Sequence, residues 1–225
     1  MTPGRSSHLA FLDTGSGPAA CVMALHGRGV TGEDLAPMAQ ELGLPGVRWI
    51  FPHGPVPFDP IPGGREWFSL EGASLSNWKT PVDHPKLSGL FSGLQSAQTL
   101  VAGLLDQLYS QGVDPKKTAL LGFSQGAALA LDVALFSGRP LAACAALSGV
   151  LPRVPKTGLP ASAPEFFLAH GTHDDILPPA LGRAASASLK ARGARVAFKE
   201  YPMGHGMCAE ELADLRAFLR STLFL

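Results

Sequence analysis

The sequence predicts an α/β fold, a mostly parallel central sheet with helices on both faces, and three observations carry that expectation. Short apolar runs alternate with longer segments of helical period, the order expected of parallel strands joined by crossover helices. Each run stops at Gly, Pro, Ser or His, and helical segments separate most of them, which decides for strand where periodicity alone does not. The chain has 225 residues, enough to bury about 70–75% of its unfolded surface in one compact domain. Gly and Pro are scattered rather than gathered into a linker, so residues 1–225 are read as a single domain.

Residues 20–25 form the first strand of this scheme. A helix starts near Thr31, where Thr31 and Asp34 have the spacing of a capping box. Strand 47–51 follows. Segment 57–85 resists the pattern: it is rich in Pro, Gly and Ser yet holds Trp67, Phe68, Leu70, Leu75 and Trp78. Long loops are commonly functional, and this aromatic content argues against disorder. Leu87, Leu90, Phe91, Leu94, Val101, Leu104, Leu105 and Leu108 then recur at helical spacing, a stripe that can lie on a sheet, with Gly112 as its stop. Strand 118–123 leads into 127–136, read as a helix that is apolar all round and buried at the centre of the sheet. Strands 141–147 and 165–169 come next, then a helix that begins at Pro178 or Pro179 and ends before Gly193. Strand 196–201 and a terminal helix carrying Leu212, Leu215 and Leu219 complete the order.

Composition narrows the function classes. Lys plus Arg and Asp plus Glu each number 18, so the formal charge is zero and no basic field exists to hold nucleic acid or an anionic membrane. Residues 1–17 lack the apolar core of an export signal, and no run reaches the roughly 18 apolar residues of a membrane span. A soluble, cytoplasmic protein is expected. Cys21, Cys144 and Cys208 lie far apart, two of them in apolar runs, a pattern that supports neither a disulfide framework nor a zinc site.

The chemistry is concentrated in a few loops. Gly122-Phe123-Ser124-Gln125-Gly126 matches G-x-S-x-G and sits between an apolar strand and a small-residue helix, the setting a nucleophile elbow requires. Ser124 is therefore the candidate nucleophile, with a helix N-terminus beneath it that favours developing negative charge. A serine hydroxyl needs a base. His205 fits, because Met203-Gly204-His205-Gly206 follows strand 196–201 and precedes the terminal helix, at the same sheet edge as Ser124. The third group, which would orient the imidazole, comes from His170-Gly171-Thr172-His173-Asp174-Asp175 after strand 165–169, and spacing leaves Asp174 and Asp175 both open. The same cluster could be read as metal ligands, but no further ligand spacing supports it.

A tetrahedral intermediate also needs backbone N–H donors. Gln125, directly after the nucleophile, is one candidate, and the loop His26-Gly27-Arg28-Gly29 after the first strand offers the other. His26 itself reads as a structural histidine bonded within its loop. The Arg28 guanidinium either pairs with Glu33 or Asp34 or favours a substrate with an anionic group near the ester. Met203 and Met207, with the aromatic loop, suggest an apolar acyl pocket of modest size.

With these residues in place, the chain resembles the phospholipase/carboxylesterase family of small α/β-hydrolases, which includes bacterial carboxylesterases and acyl-protein thioesterases. The resemblance rests on Leu25-His26-Gly27, Gly122 to Ala127, Ala146-Leu147-Ser148-Gly149, His170-Gly171 with Asp174 and Pro178, and Gly204-His205, in the family's order. It implies the α/β-hydrolase fold, and its HG-x-x-D pattern implies Asp174 rather than Asp175. It further implies that Arg28 and Gln125 supply the oxyanion-hole amides and that Trp67 and Phe68 lie beside the substrate. The activity implied is that of a serine carboxylesterase acting on short to medium acyl chains, with an acyl-protein or acyl-CoA thioesterase or a lysophospholipase as alternatives. The substrate would be a small-molecule ester or thioester, no cofactor or metal is expected, and a homodimer is compatible with the family. The chain carries Arg28 where acyl-protein thioesterases have leucine. A non-catalytic binding protein on the same scaffold is disfavoured, because such proteins commonly lose a member of the triad and all three are present here.

Overall fold

The computed structural model describes residues 2–5, 9–14, 20–70 and 93–225. Their main sheet has eight strands in the order β1 (Thr2–Arg5), β2 (Ala10–Asp13), β4 (Val47–Pro52), β3 (Ala20–Leu25), β7 (Thr118–Phe123), β8 (Ala143–Leu147), β9 (Glu165–Gly171) and β10 (Val196–Tyr201). From β4 to β10 every neighbouring pair is parallel, and β2 joins β1 and β4 by antiparallel pairing. A separate two-stranded ribbon, β5 (Val56–Pro57) with β6 (Arg65–Glu66), lies in the loop after β4.

The six strands expected from the apolar runs are β3, β4 and β7 to β10. β1 and β2 were not foreseen. They are four residues each, and Thr2-Pro3-Gly4-Arg5 has no strand-like apolar content; Pro is tolerated there because β1 is an edge strand. β10 departs from expectation in another way: it pairs only with β9, and of its residues only Tyr201 is buried.

Side chains alternate across the pleat and divide the core in two. Cys21, Met23 and Leu25 of β3 point to one face with Ile50, Leu120, Cys144, Phe166 and Leu168. Among the described residues three helices cover that face: α3 (Leu94–Ser110), α4 (Gln125–Phe136) and α5 (Pro179–Lys190). Ala20, Val22 and Ala24 point to the other with Trp49, Phe51, Leu121, Ala145 and Phe167, under α1 (Gly32–Leu35), α2 (Met38–Leu42) and α6 (Ala209–Leu223). The predicted stripe of α3 is buried at Leu94, Val101, Leu104, Leu105 and Leu108, and Gly112 follows its end with φ 92°; Leu87, Leu90 and Phe91 lie outside the described residues. Thr31 caps α1 as its spacing suggested, donating its backbone N–H and its hydroxyl to Asp34 Oδ2 at 2.7 and 2.9 Å. Among the described residues no helix is long and apolar enough to cross a membrane, and Cys21, Cys144 and Cys208 form no disulfide.

The helix read as apolar all round is not. Asp132 of α4 is fully buried, and its carboxylate accepts from Arg153 Nε at 2.6 Å, Arg153 Nη2 at 2.8 Å and Gln98 Nε2 at 2.9 Å. The guanidinium also stacks on Phe136 at 4.3 Å. This cluster ties the loop after β8 and the helix α3 to the helix that begins at Ser124. Burial pushes the Asp132 carboxyl up, while Arg153 and Gln98 pull it back.

Arg153→Met would leave Asp132 with Gln98 alone and raise its carboxyl further. A carboxyl raised on folding contributes stability that is lost as pH rises from its unfolded value towards its folded one. Urea unfolding of the variant is therefore expected to show a loss on the order of 2 kcal/mol at pH 8 and a smaller loss at pH 5. Parental midpoints at both pH values would mean that the pair adds nothing.

Candidate active site

Ser124 sits between β7 and α4 with φ 54° and ψ −115°, a conformation that an L-residue adopts only under constraint. Such strain costs about 1–3 kcal/mol and must be held by its surroundings. The holding bonds run from Ser124 N–H to Leu147 O at 2.9 Å and from the Ala127 N–H to Ser124 O at 3.0 Å. The flanking glycines are required by space. A Cβ on Gly122 would lie 2.2 Å from Gly126 O, and one on Gly126 would lie 2.1 Å from Leu25 O. The turn can close only because neither side chain exists.

His205, on the loop after β10, places Nε2 2.9 Å from Ser124 Oγ and Nδ1 2.8 Å from Asp174 Oδ2. An ionised carboxylate can only accept, so Nδ1 carries the proton and Nε2 is free to accept from the serine hydroxyl. The ring also packs on Phe123, 5.1 Å between centroids. Two bonds beyond the strand ends stitch this loop to the Asp174 loop: Thr172 N–H to Tyr201 O at 2.8 Å and His173 N–H to Met203 O at 3.0 Å. Gly171 makes the approach feasible, because a Cβ there would lie 2.3 Å from Gly204 O.

Of the two carboxylates left open by spacing, Asp174 is buried against His205 and Asp175 is exposed. Asp174 Oδ1 accepts from the backbone N–H groups of Ile176 and Leu177 at 3.0 and 2.8 Å. Its Oδ2 accepts from His205 and faces His170 Nε2 at 3.3 Å. Burial alone would raise this carboxyl, but the hydrogen bonds from His170, His205 and Leu177 outweigh it and hold Asp174 well below the usual carboxylate range. These bonds favour the ionised form of Asp174 facing His205. His170 was not singled out as a partner of Asp174. Its Nε2–H also reaches Leu177 O at 2.8 Å, and Nδ1 has no hydrogen-bond partner among the described residues. No group of side chains among the described residues could hold a metal ion; His173 is exposed and bonded to Thr172.

Arg28, on the loop after β3, and Gln125, at the first position of α4, lie with Ser124 around one cavity, and neither backbone N–H donates a hydrogen bond among the described residues. That cavity is about 340 Å³ with an apolar wall of Phe58, Leu70, Ala128, Val150, Ile176 and Leu177. These six residues come from five separate segments, and no local pattern marks them. Several expected contacts lie elsewhere. Trp67 and Phe68 are 1% exposed and do not line the cavity; they lie in the core beneath it. Met203 packs against the opposite core, and Met207 is exposed away from the cavity wall. Arg28 pairs with neither Glu33 nor Asp34 but with buried Glu66, Nε to Oε2 at 2.6 Å, and lies over the Phe58 ring at 4.4 Å. Its charge is thus already matched at the cavity rim. His26 is a structural histidine: Nε2 accepts from Gly54 N–H at 2.8 Å, Nδ1–H donates to Gly27 O at 2.7 Å, and burial brings its pKa down to about 4.

Residues 10–223 match the family described as Phospholipase/Carboxylesterase. The chain is 31% identical over 240 residues to "Acyl-protein thioesterase 1" of Gibberella zeae, covering 99% of this chain and 98% of that protein. It is also 31% identical to "Probable carboxylesterase Os04g0669600" of Oryza sativa subsp. japonica, over 90% of this chain and 88% of that one. Among solved structures, esterase PE8 superposes with a TM-score of 0.81 at 28% identity, covering 96% of this chain and 99% of that one.

Exchange of the two neighbouring aspartates separates their roles. Asp174→Asn is expected to lower kcat by about 10³–10⁴-fold, because the amide would present the wrong hydrogen-bond partner to His205. Asp175→Asn is expected to leave kcat within about twofold, as most exposed surface substitutions away from a site do. Steady-state ester hydrolysis by both variants checks this, and equal losses would return the assignment to open.

Proposed function

This chain belongs to the phospholipase/carboxylesterase family of α/β-hydrolases, and from that footing we propose that it is a serine carboxylesterase for esters of short to medium acyl chains. The observation that carries the proposal is the unbroken relay from Ser124 Oγ through His205 to Asp174, opening on an apolar cavity next to two unengaged backbone amides. In this reading, His205 Nε2 takes the Ser124 proton as Oγ attacks the acyl carbon. The carbonyl electron pair moves to the oxygen and is met by the Arg28 and Gln125 amides, each typically contributing about 3–4 kcal/mol to such an intermediate. Collapse expels the alcohol, which receives the proton from His205, and Ser124 is left acylated. Water, deprotonated by the same imidazole, then releases the acid and restores the serine. Asp174 stays ionised throughout and stabilises the imidazolium.

Acyl-chain preference follows from space. The cavity of about 340 Å³ is at the small end of the roughly 300–1,000 Å³ typical of ligand pockets, which supports short to medium chains. A thioesterase is the second reading, favoured by the Gibberella zeae relative's name; the machinery is common to both, and the difference lies in the leaving group.

The test is a chain-length series of p-nitrophenyl esters with matched acyl-CoA thioesters, run on the parent and on Ser124→Ala. Acetyl to hexanoyl esters are expected to be turned over at least tenfold faster than dodecanoyl esters, with activity falling by about 10⁵–10⁶-fold without the serine hydroxyl. Preference for long thioesters would favour the second reading. Parental turnover by Ser124→Ala would remove both.

A further inference from the structure

Trp67 and Phe68 were expected against the substrate, and their burial raises the question of what they hold instead. Segment 65–68 runs from β6 between the Arg28 loop and the start of α4, which carry the unengaged amides. Towards the Arg28 loop, Gly29 N–H donates to Arg65 O at 2.8 Å, Arg65 N–H to Val30 O at 3.3 Å, Trp67 Nε1–H to His26 O at 2.9 Å, and Arg28 Nε–H to Glu66 Oε2 at 2.6 Å. Towards α4, Trp67 N–H donates to Gln125 Oε1 at 2.9 Å, and Gln125 Nε2–H donates to Phe68 O at 2.7 Å. A backbone N–H can only donate and a carbonyl only accept, so this pair of bonds fixes the Gln125 amide in one orientation. Glu66, Trp67 and Phe68 are 5%, 1% and 1% exposed, so the bonds that Trp67 and Phe68 make to His26 and Gln125 are sealed from solvent.

The two amides themselves belong to segments far apart in sequence, one after β3 and one at the first position of α4. Their parent strands pair only as far as Leu25 with Gly122, below the level of Arg28 and Gln125. Above that level, segment 65–68 bonds to both. We infer that segment 65–68 is a strap that sets the separation of the Arg28 and Gln125 amides, with Glu66, Trp67 and the Gln125 side chain as positioning residues. Through them the oxyanion site is held in shape before substrate arrives. This rests on the hydrolase reading above and extends it to residues that touch no substrate.

A strap that serves only stability and one that shapes the amide pair have different kinetic signatures. Loosening the pair weakens binding of the oxyanion but not of the ground-state ester, so kcat falls while KM holds. Removing one such donor costs about 10²–10³ in kcat, and a displaced donor costs part of that. Gln125→Met, which keeps side-chain length and loses both bonds, is expected to lower kcat by about 30-fold. Trp67→Phe, which loses the bond to His26 O, should lower it by about tenfold, and Glu66→Gln, which keeps the shape and loses the charge, by about threefold. KM is expected to stay within about threefold in each, and the inhibition constant of an alkyl trifluoromethyl ketone, whose adduct carries an oxyanion, should rise in step with the loss in kcat.

Activities are normalised to folded protein by circular dichroism and urea unfolding, so a variant that folds poorly is scored by the milder two. Folded variants with parental kcat and parental ketone affinity would overturn the strap. So would a rise in KM at unchanged kcat, which would mean that these residues meet the substrate. Ser124→Ala is run alongside: if it is inactive while the strap variants are unaffected, the strap fails alone, whereas parental activity in Ser124→Ala would fell the hydrolase reading itself.

Discussion

The close approach of backbone at the head of α4 is the constraint from which the rest of the site follows. Gly126 lies so near the carbonyls of Leu25 and His26 that a Cβ would come within 2.1 and 2.5 Å of them. That contact presses the start of α4 onto the end of β3, forces Ser124 into its left-handed conformation and lifts its side chain out of the chain path. It also puts the Gln125 amide beside the loop that carries Arg28. One steric fact therefore fixes Ser124 and the helix N-terminus against the end of β3, and the strain at Ser124 is sustained by the bond to Leu147 on the neighbouring strand.

The electrostatics are arranged around a single carboxylate. Asp174 is buried, which would ordinarily favour its neutral form, and four hydrogen-bond donors reverse that preference. Two of the donors are histidines, and only His205 has a part in the proposed mechanism. His205 faces the Ser124 hydroxyl with Nε2 as acceptor; His170 is sealed in the core with Nε2 shared between Asp174 and Leu177 O. Because the carboxylate is fixed from several directions, the imidazole of His205 inherits a fixed tautomer and direction.

The apolar cavity and the polar scaffold behind it are built from the same segments. Phe58 before β6 and Leu70 after it contribute to the wall, and Glu66 and Trp67 between them make the bonds beneath it. The loop after β8 gives Val150 to the wall and is anchored by Arg153 on Asp132. Glu66 and Asp132 are polar groups that the core would otherwise exclude, and both are matched by an arginine where they hold a wall of the site in place.

The sequence by itself determined the alternation of strand and helix, the parallel core of the sheet, the elbow at Ser124 and the loop position of His205. Those features depend on local chemistry, namely apolar runs, glycines at a tight turn and loops at strand ends, which neighbouring residues express directly. Spacing left Asp174 and Asp175 undivided and only the family resemblance chose Asp174, because both follow the same strand and the direction of each side chain is what separates them. The sequence hid Asp132 inside an apolar helix, whose partners Gln98 and Arg153 are distant in the chain, and it missed β1 and β2, which exist through antiparallel pairing at the sheet edge. The true wall of the cavity and the partner of Arg28 were decided only by tertiary structure. Contacts among five segments brought together at one sheet edge have no signature in any one of them, and the burial that moved Trp67 and Phe68 from the substrate to the scaffold is a property of the packed core alone.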